Sequence, residues 1–409
     1  MINVAIMGHG VVGSGVAEIL HNHTARITEK AKENINVKYI LDLRDFDGLE
    51  YSDKFIKDFN IILNDPEIKI VVEVMGGCTF AYDYVKACLL AGKSVCTSNK
   101  ELVAEKGAEL LDIALEKNVN FLFEASVGGG IPVLRPMAQC LTANEITEVT
   151  GILNGTTNFI LTKMISENMS FEDALSLAQK LGYAEKDPTA DIEGHDACRK
   201  ICILASLGFG KHVYTNQVKT EGITSITLKD VEYAEKLNCV IKLIGRTRKL
   251  DNGKITANVY PALISKNHML SGVNDVFNAI MVRGDEVGDV MFYGRGAGKF
   301  PTASAVVGDV IDCAKHITAR KYLHWTDGNS DYVADSSDNI TRIYARFSTN
   351  NLKETVAEIE NKFNGASYVI NEDKTEIALL TENDIENTLL KQINSLSSCK
   401  LIKTLHALD

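Results

Sequence analysis

Gly8-His9-Gly10-Val11-Val12-Gly13 follows directly on the apolar run Ile2–Met7 and leads into the helix-forming stretch Ser14–Leu20. A GxGxxG alone is a weak signal. Between a strand and a helix it is the turn that lets backbone approach a pyrophosphate closely. The helix beyond it offers N–H groups and a partial positive charge to the same anion. Gly8, Gly10, Val11, Val12 and Gly13 are therefore the expected phosphate contacts. Such a turn needs a parallel sheet with crossover helices behind it.

The next residues supply that sheet. Val37–Leu41 reads as a second strand, Ile70–Val74 as a strand buried on both faces, and Ser94–Thr97 and Asn120–Phe123 as two more. Phe80–Ala91 and Glu101–Glu116 read as the helices between them. From about residue 130 the pattern changes. Helical segments (Asn158–Asn168, Phe171–Lys180, Asp191–Leu207) mix with alternating strands such as Ile255–Pro261, as in an α+β domain. After a polar linker, Ser336–Asn339, the order is strand Arg342–Ser348, helix Leu352–Phe363, strands Ser367–Asn371 and Glu376–Thr381, helix Asp384–Leu396 and strand Lys400–Leu408. That βαββαβ order is the signature of a ferredoxin-like module.

The second strand runs into Asp42, with Arg44 two residues on. An acidic side chain here accepts hydrogen bonds from the adenosine ribose and repels a 2′-phosphate; an arginine does the opposite. The pair leans only slightly to NAD over NADP.

Composition excludes several other classes. Lys+Arg number 43 against 54 Asp+Glu, a net charge of −11, with no basic block to neutralise nucleic-acid phosphates. No apolar run approaches the ~20 residues that span a bilayer. The start of the chain carries no basic n-region, so no signal peptide is expected. The nine cysteines include no CxxC pair, which reads as a reducing cytoplasm without disulfides or structural zinc. His195, Cys198 and Cys202 lie close on one predicted helix, with no fourth metal ligand near in sequence.

Five further stretches carry a resemblance. They are Val71-Val72-Glu73-Val74-Met75-Gly76-Gly77, Thr97-Ser98-Asn99-Lys100-Glu101, Phe123 through Pro132 (FEASVGGGIP), Gly151 through Asn158 (GILNGTTN) and Gly182 through Pro188 (GYAEKDP). In order and spacing the chain from about residue 2 to 320 resembles homoserine dehydrogenase. The resemblance implies an α/β chain with an N-terminal Rossmann domain (1–130) and an inserted α+β catalytic and dimerisation domain (131–320) whose end returns to the first. The C-terminal residues 338–409 resemble an ACT-type module. The activity implied is the reversible NAD(P)H-dependent reduction of L-aspartate 4-semialdehyde to L-homoserine, by a cytoplasmic homodimer or higher homo-oligomer.

Site residues follow by position. On a helix at about 100° per residue, Asp196, Lys200, Ile203 and Leu207 fall within about 60° of one another, so an acid–base pair shares a stripe with large apolar residues. Carbonyl reduction needs a proton for the nascent alkoxide, and a lysine in a partly dry pocket suits that task. Lys200 matches the family's catalytic lysine and Lys100 its second lysine, which also contacts the cofactor. Glu185 and Asp196 match substrate-binding residues, and carboxylates suit the substrate ammonium. Gly76, Gly182 and Gly296 match cofactor-contacting glycines. Glu124, Val127, Gly129 and Ile131 match a loop that binds sodium in some members, largely through backbone carbonyls.

Two departures stand out. ACT-type modules commonly carry Asp-x-Pro-Gly after the first strand, where the effector binds; here Ser348-Thr349-Asn350-Asn351-Leu352-Lys353 stands instead, so threonine inhibition is not expected. Asp42 stands where many members have an arginine that holds the NADP phosphate. Two other functions fit the pattern less well. One is a dehydrogenase of another small amino-acid aldehyde. The other is a non-catalytic nucleotide- or amino-acid-binding regulator, which would have no need of both lysines.

Overall fold

The computed structural model describes residues 1–319, 323–335 and 339–408. It divides into two compact units, each assembled from separate stretches of chain.

The first unit comprises Met1–Val149, Arg199–Asn216 and Ile280–Ser330. Its sheet is built from β1 (Ile2–Met7), β2 (Ile35–Leu41), β3 (Phe55–Ile56), β4 (Ile68–Glu73), β5 (Ser94–Thr97) and β6 (Phe121–Leu122). The order is β3-β2-β1-β4-β5-β6, and every pairing is parallel. All six residues of β1 are buried, as apolar strands covered on both faces must be. The chain builds outward from β1 in one direction and then, from β4, in the other. The C-terminal ends of β1 and β4 therefore flank the point where strand order reverses, the crevice in which such sheets bind ligands.

Two helices frame that crevice. Val11–Asn22 leaves the glycine turn, longer at both ends than the predicted Ser14–Leu20. Lys299–Lys315 crosses it at Gly15, where an added Cβ would lie 2.9 Å from the Ala303 Cβ. Lys299 Nζ meets Glu18 Oε1 at 2.6 Å beside this crossing.

The second unit comprises Thr150–Cys198, Gln217–Ala279 and Asp331–Asp409. Its strands lie in the order Cys239–Lys249, Ile255–Ser265, Cys399–Leu408, Ile340–Thr349, Glu376–Leu380, Ser367–Ile370. The last four, with helices Leu352–Lys362 and Glu386–Asn394, form a βαββαβ segment whose neighbours all pair antiparallel. Cys399–Leu408 also pairs in parallel with Ile255–Ser265, through Ala262 and His406 among others. The two long strands Cys239–Lys249 and Ile255–Ser265 are antiparallel over eleven residue pairs. Ile244, Ala262, Ile264 and Leu270 form a core cluster on this part of the sheet, and Ile343, Phe347, Ile377 and Leu379 another beneath the C-terminal helices.

Two predicted helices are shorter than expected. Asp191–Leu207 is not continuous: Thr189–Ile192 ends at Glu193, Gly194 takes φ +81°, and a new helix runs His195–Phe209. The break has a packing cause, because a Cβ on Gly194 would lie 3.1 Å from the Thr220 methyl and 3.2 Å from Val259. Asp384 and Ile385 pair with Thr341 and Ile340 instead of opening a helix, which starts at Glu386. Of the predicted linker, residues 336–338 lie outside the described residues. Among the described residues no helix is long and apolar enough to cross a membrane.

Candidate active site

At the end of β1 the glycine turn is fixed by close approach. Gly8 has φ +98°, and a Cβ there would lie 2.9 Å from the Val74 carbonyl oxygen. A Cβ on Gly13 would stand 2.0 Å from the Gly8 oxygen, so neither position accepts a side chain. Nothing lies within 4 Å of a Cβ on Gly10, which caps the helix start with no side-chain hydrogen bond. Val11 is exposed beside it. The turn thus presents bare backbone and a helix N-terminus to open space, which suits a pyrophosphate.

The His9 ring turns away from that face into an aromatic box of Phe46, Tyr51 and Phe55, with ring centroids 4.5, 5.9 and 5.0 Å away. Burial holds its imidazole below the ordinary histidine value. The His9 N–H donates to Asp42 Oδ2 at 2.8 Å. Arg44 donates to Asp42 through its backbone N–H, Nε and Nη2 at 3.0, 3.0 and 2.9 Å. The hydrogen bonds from Arg44, with those from backbone, hold the Asp42 carboxyl well below the usual carboxylate range.

Beyond β4, Gly76 (φ +81°) and Gly77 (φ +70°) make a second turn. It is held by Glu73, a fully buried carboxylate. Glu73 Oε1 accepts the Met75 and Gly76 N–H groups at 2.8 and 3.3 Å, and Oε2 accepts the Thr97 hydroxyl at 2.6 Å. Burial pushes the Glu73 carboxyl up. Thr97 Oγ1 in turn accepts the Asn99 N–H, and Asn99 donates its amide to the Gly77 oxygen at 2.6 Å. The Asn99 oxygen caps helix Lys100–Lys117 through the Leu102 N–H. Lys100 is therefore the first residue of a helix whose start is tied to the Gly76–Gly77 turn. Nothing local in the sequence marks Thr97 or Asn99 as a partner of this turn; the one visible signal is Glu73, a carboxylate closing a buried parallel strand.

The predicted sodium loop is compact. Glu124, Val127, Gly129 and Ile131 are all buried. The Glu124 side chain serves another purpose: it accepts the N–H groups of Val133, Leu134 and Arg135 at 2.6, 2.9 and 2.7 Å, capping the short helix Leu134–Gln139. Gly129 packs against Gly296, whose carbonyl oxygen would be 2.4 Å from an added Cβ. The structure thus brings Gly296 to the 128–130 turn, just ahead of the helix Lys299–Lys315 that crosses Gly15.

In the second unit the centre is Asn154. It caps helix Gly155–Glu167, its side-chain oxygen accepting the Thr157 N–H and hydroxyl at 2.8 and 3.0 Å. Its amide nitrogen donates to Asp191 Oδ1 at 2.7 Å and to Asp196 Oδ2 at 2.8 Å. Both amide hydrogens and both acceptor sites are then used. A Cβ on the following Gly155 would lie 2.9 Å from the Val276 oxygen, which fixes the turn. Asp196 stands at the start of helix His195–Phe209, which continues into the first unit; Lys200 follows one turn on, the two being 4% and 8% exposed, with Ile203 buried on the same stripe and Leu207 half-buried. Gly182 (φ +76°) and Glu185 are exposed on the loop after helix Phe171–Lys180, and the Glu185 carbonyl accepts from Gln179. In sequence Asp191 marks only a helix start; its tie to Asp196 runs through Asn154, 37 positions away.

A parallel sheet reversing beside a bare glycine turn, with an acidic group after the second strand, defines an NAD(P)-binding enzyme of the dehydrogenase class. The comparisons with known proteins agree. A family model described as the NAD binding domain of homoserine dehydrogenase matches residues 8–124, and one described as homoserine dehydrogenase matches residues 132–311. The chain belongs to the homoserine dehydrogenase family. It is 42% identical over 320 residues to homoserine dehydrogenase of Bacillus subtilis, covering 77% of this chain and 73% of that protein. With the Neisseria gonorrhoeae protein of the same name it shares 36% over 420 residues, covering 98% and 96%. A solved homoserine dehydrogenase from Thiobacillus denitrificans superposes with a TM-score of 0.89 at 35% identity, covering 100% of this chain and 98% of that one. A hyperthermophilic archaeal homoserine dehydrogenase in complex with NADPH superposes with a TM-score of 0.65 at 30% identity, covering 76% and 97%.

Proposed function

We propose that this chain interconverts L-aspartate 4-semialdehyde and L-homoserine, with Lys200 as the proton donor and acceptor. The observation that carries the assignment is the buried Asp196–Lys200 pair on one helix stripe, with Asp196 held by Asn154. Gly8, Gly10, Val11, Val12, Gly13, Gly76, Gly182 and Gly296 would hold the dinucleotide, whose nicotinamide supplies or accepts the hydride at the substrate carbon. Lys200 gives a proton to the oxygen as the aldehyde becomes an alcohol and takes it back in reverse. Lys100, at its helix start, contacts the cofactor and supports the same transfer. Asp196 and Glu185 bind the substrate ammonium, the one charge on the substrate that needs a carboxylate partner.

Three finer readings belong here. Asp42 beside Arg44 gives a slight lean to NAD, developed below. Sodium fits the loop at 124–131: among the described residues, none of the carbonyls of Glu124, Val127, Gly129 and Ile131 accepts a hydrogen bond, and all four residues are buried. Buried carbonyls left this way favour a hard cation. The C-terminal segment has the strand order and antiparallel pairing of an ACT-type module. Its effector turn is closed on itself, with Thr349 Oγ1 2.8 Å from Thr355 Oγ1 and the Asn351 side chain capping the helix at Glu354. We read the segment as a contact of a homo-oligomeric, cytoplasmic enzyme, with the missing proline and glycine arguing against a threonine response.

Lys200→Ala tests the core assignment. Turnover of L-homoserine with NAD⁺ or NADP⁺, followed at alkaline pH, should fall by orders of magnitude, while the Kd for NADPH stays near the wild-type value. Near-normal turnover would overturn the role of Lys200.

A further inference from the structure

The carboxylate expected to bind ribose already has a full set of donors. Asp42 Oδ1 accepts the Arg44 N–H and Nε, each at 3.0 Å; Oδ2 accepts the His9 N–H at 2.8 Å and Arg44 Nη2 at 2.9 Å. A carboxylate offers about four acceptor positions, so no place is left for a ribose hydroxyl. The four donors are of two kinds. The His9 and Arg44 N–H groups are backbone and fix how the carboxylate is aimed. The Nε and Nη2 donors are a side-chain fork that can leave: the Asp42 side chain is 11% exposed, whereas that of Arg44 is 62% exposed. A ribose with free 2′ and 3′ hydroxyls also presents two donors, on adjacent carbons. It can replace the fork one donor for one.

A ribose bearing a 2′-phosphate cannot make that exchange. It has lost the 2′ donor and carries negative charge toward Asp42. It needs Arg44 to stay, because the guanidinium then neutralises Asp42 and keeps Nη1, which has no partner among the described residues, for the phosphate. The structure gives the retained position further support, since Arg44 Nη2 also donates to the His9 oxygen at 3.1 Å and the guanidinium lies 5.0 Å from the Phe46 ring centroid.

We propose that Arg44 is an internal occupant of the ribose-diol subsite and that its position selects the cofactor: displaced for NAD(H), retained for NADP(H). The inference rests on the dinucleotide reading of the glycine turn. It makes an unusual demand, that removing a cation improves the binding of an anionic cofactor.

The test is the Kd of NADH and of NADPH, by fluorescence titration of the full chain, for wild type, Arg44→Ala, Arg44→Lys and Asp42→Asn. Arg44→Ala should bind NADH about fivefold more tightly, as the competing surface pair is gone, and NADPH about tenfold more weakly. Arg44→Lys keeps a charge without the fork, so NADH should tighten while part of the NADPH binding survives. Asp42→Asn should weaken NADH and leave NADPH unchanged or tighter. Arg44→Ala weakening both cofactors, or changing neither, would overturn the proposal and leave the dinucleotide site standing. A wild-type chain that binds neither cofactor would overturn both.

Discussion

Asn154→Asp separates the proposed substrate-binding cluster from the fold that carries it. The change is isosteric and keeps the cap, because an aspartate oxygen accepts from Thr157 as well as an asparagine oxygen does. What it removes is the amide nitrogen between Asp191 and Asp196, at 2.7 and 2.8 Å. Each hydrogen bond to a charged group is worth about 1.5–3 kcal/mol. Asp191 is only half-buried, so the lower end applies and the two together give about 3 kcal/mol. If that is expressed in holding Asp196 for substrate, kcat/KM for L-homoserine falls about 100-fold. Three carboxylates then converge where two shared a donor, and like charges raise the pKa of one of them. The cluster should therefore take up a proton, and the ratio of variant to wild-type kcat/KM should rise as pH falls. Steady-state kinetics across pH, with a thermal melt as control, measure both effects. A variant with kcat/KM within threefold of wild type at pH 7, and a ratio flat with pH, would refute the role given to Asn154.

Gly13→Ala places a Cβ 2.0 Å from the Gly8 oxygen; NADPH titration should show cofactor binding lost, and a Kd within threefold of wild type would contradict the phosphate-turn geometry. Lys242 is 1% exposed, and its ammonium is held by Asn158, Val273 and Asn274 with no carboxylate partner among its hydrogen bonds; burial lowers its pKa to about 8 from 10.5. Between those values the unfolded chain binds the extra proton, so the cost of burying the charge, about 3 kcal/mol, is full below pH 8 and gone by about pH 10.5. The stability of wild type relative to Lys242→Met, from urea unfolding, should therefore rise between pH 7 and pH 10, and a constant difference would show that Lys242 keeps its ordinary pKa.

The parts of this molecule visible in its sequence are those set by local spacing. Phe171–Lys180 and Ser94–Thr97 are legible to the residue, since Ser170 caps the one and the other is a short stretch between the Gly92 turn and the Asn99 helix cap. The glycine turn was visible because the requirement and the residues that meet it lie within six positions. The break at Gly194 was not. Glycine inside a helical pattern is ordinarily tolerated, and the cause here is Thr220 and Val259, distant in sequence. The Glu124 side chain was hidden in the same way, its three N–H partners lying nine to eleven residues on.

The C-terminal segment shows how far such non-local register can change a functional reading. In sequence it reads as a separate ferredoxin-like module after a polar linker. In the structure its last strand lies between Ile255–Ser265 and Ile340–Thr349, so one continuous sheet runs through it. Buried charge reinforces the join: Asp230, fully buried at a helix start, meets Arg346 Nη2 at 3.2 Å and Lys403 Nζ at 3.1 Å. Removing one partner of a buried pair leaves an uncompensated charge, which costs far more than the pair contributes. The chain therefore depends on this segment for the edge of its sheet and the neutrality of Asp230. That architectural role rests on the strand pairing and on Arg346 and Lys403, not on the turn at residues 348–353.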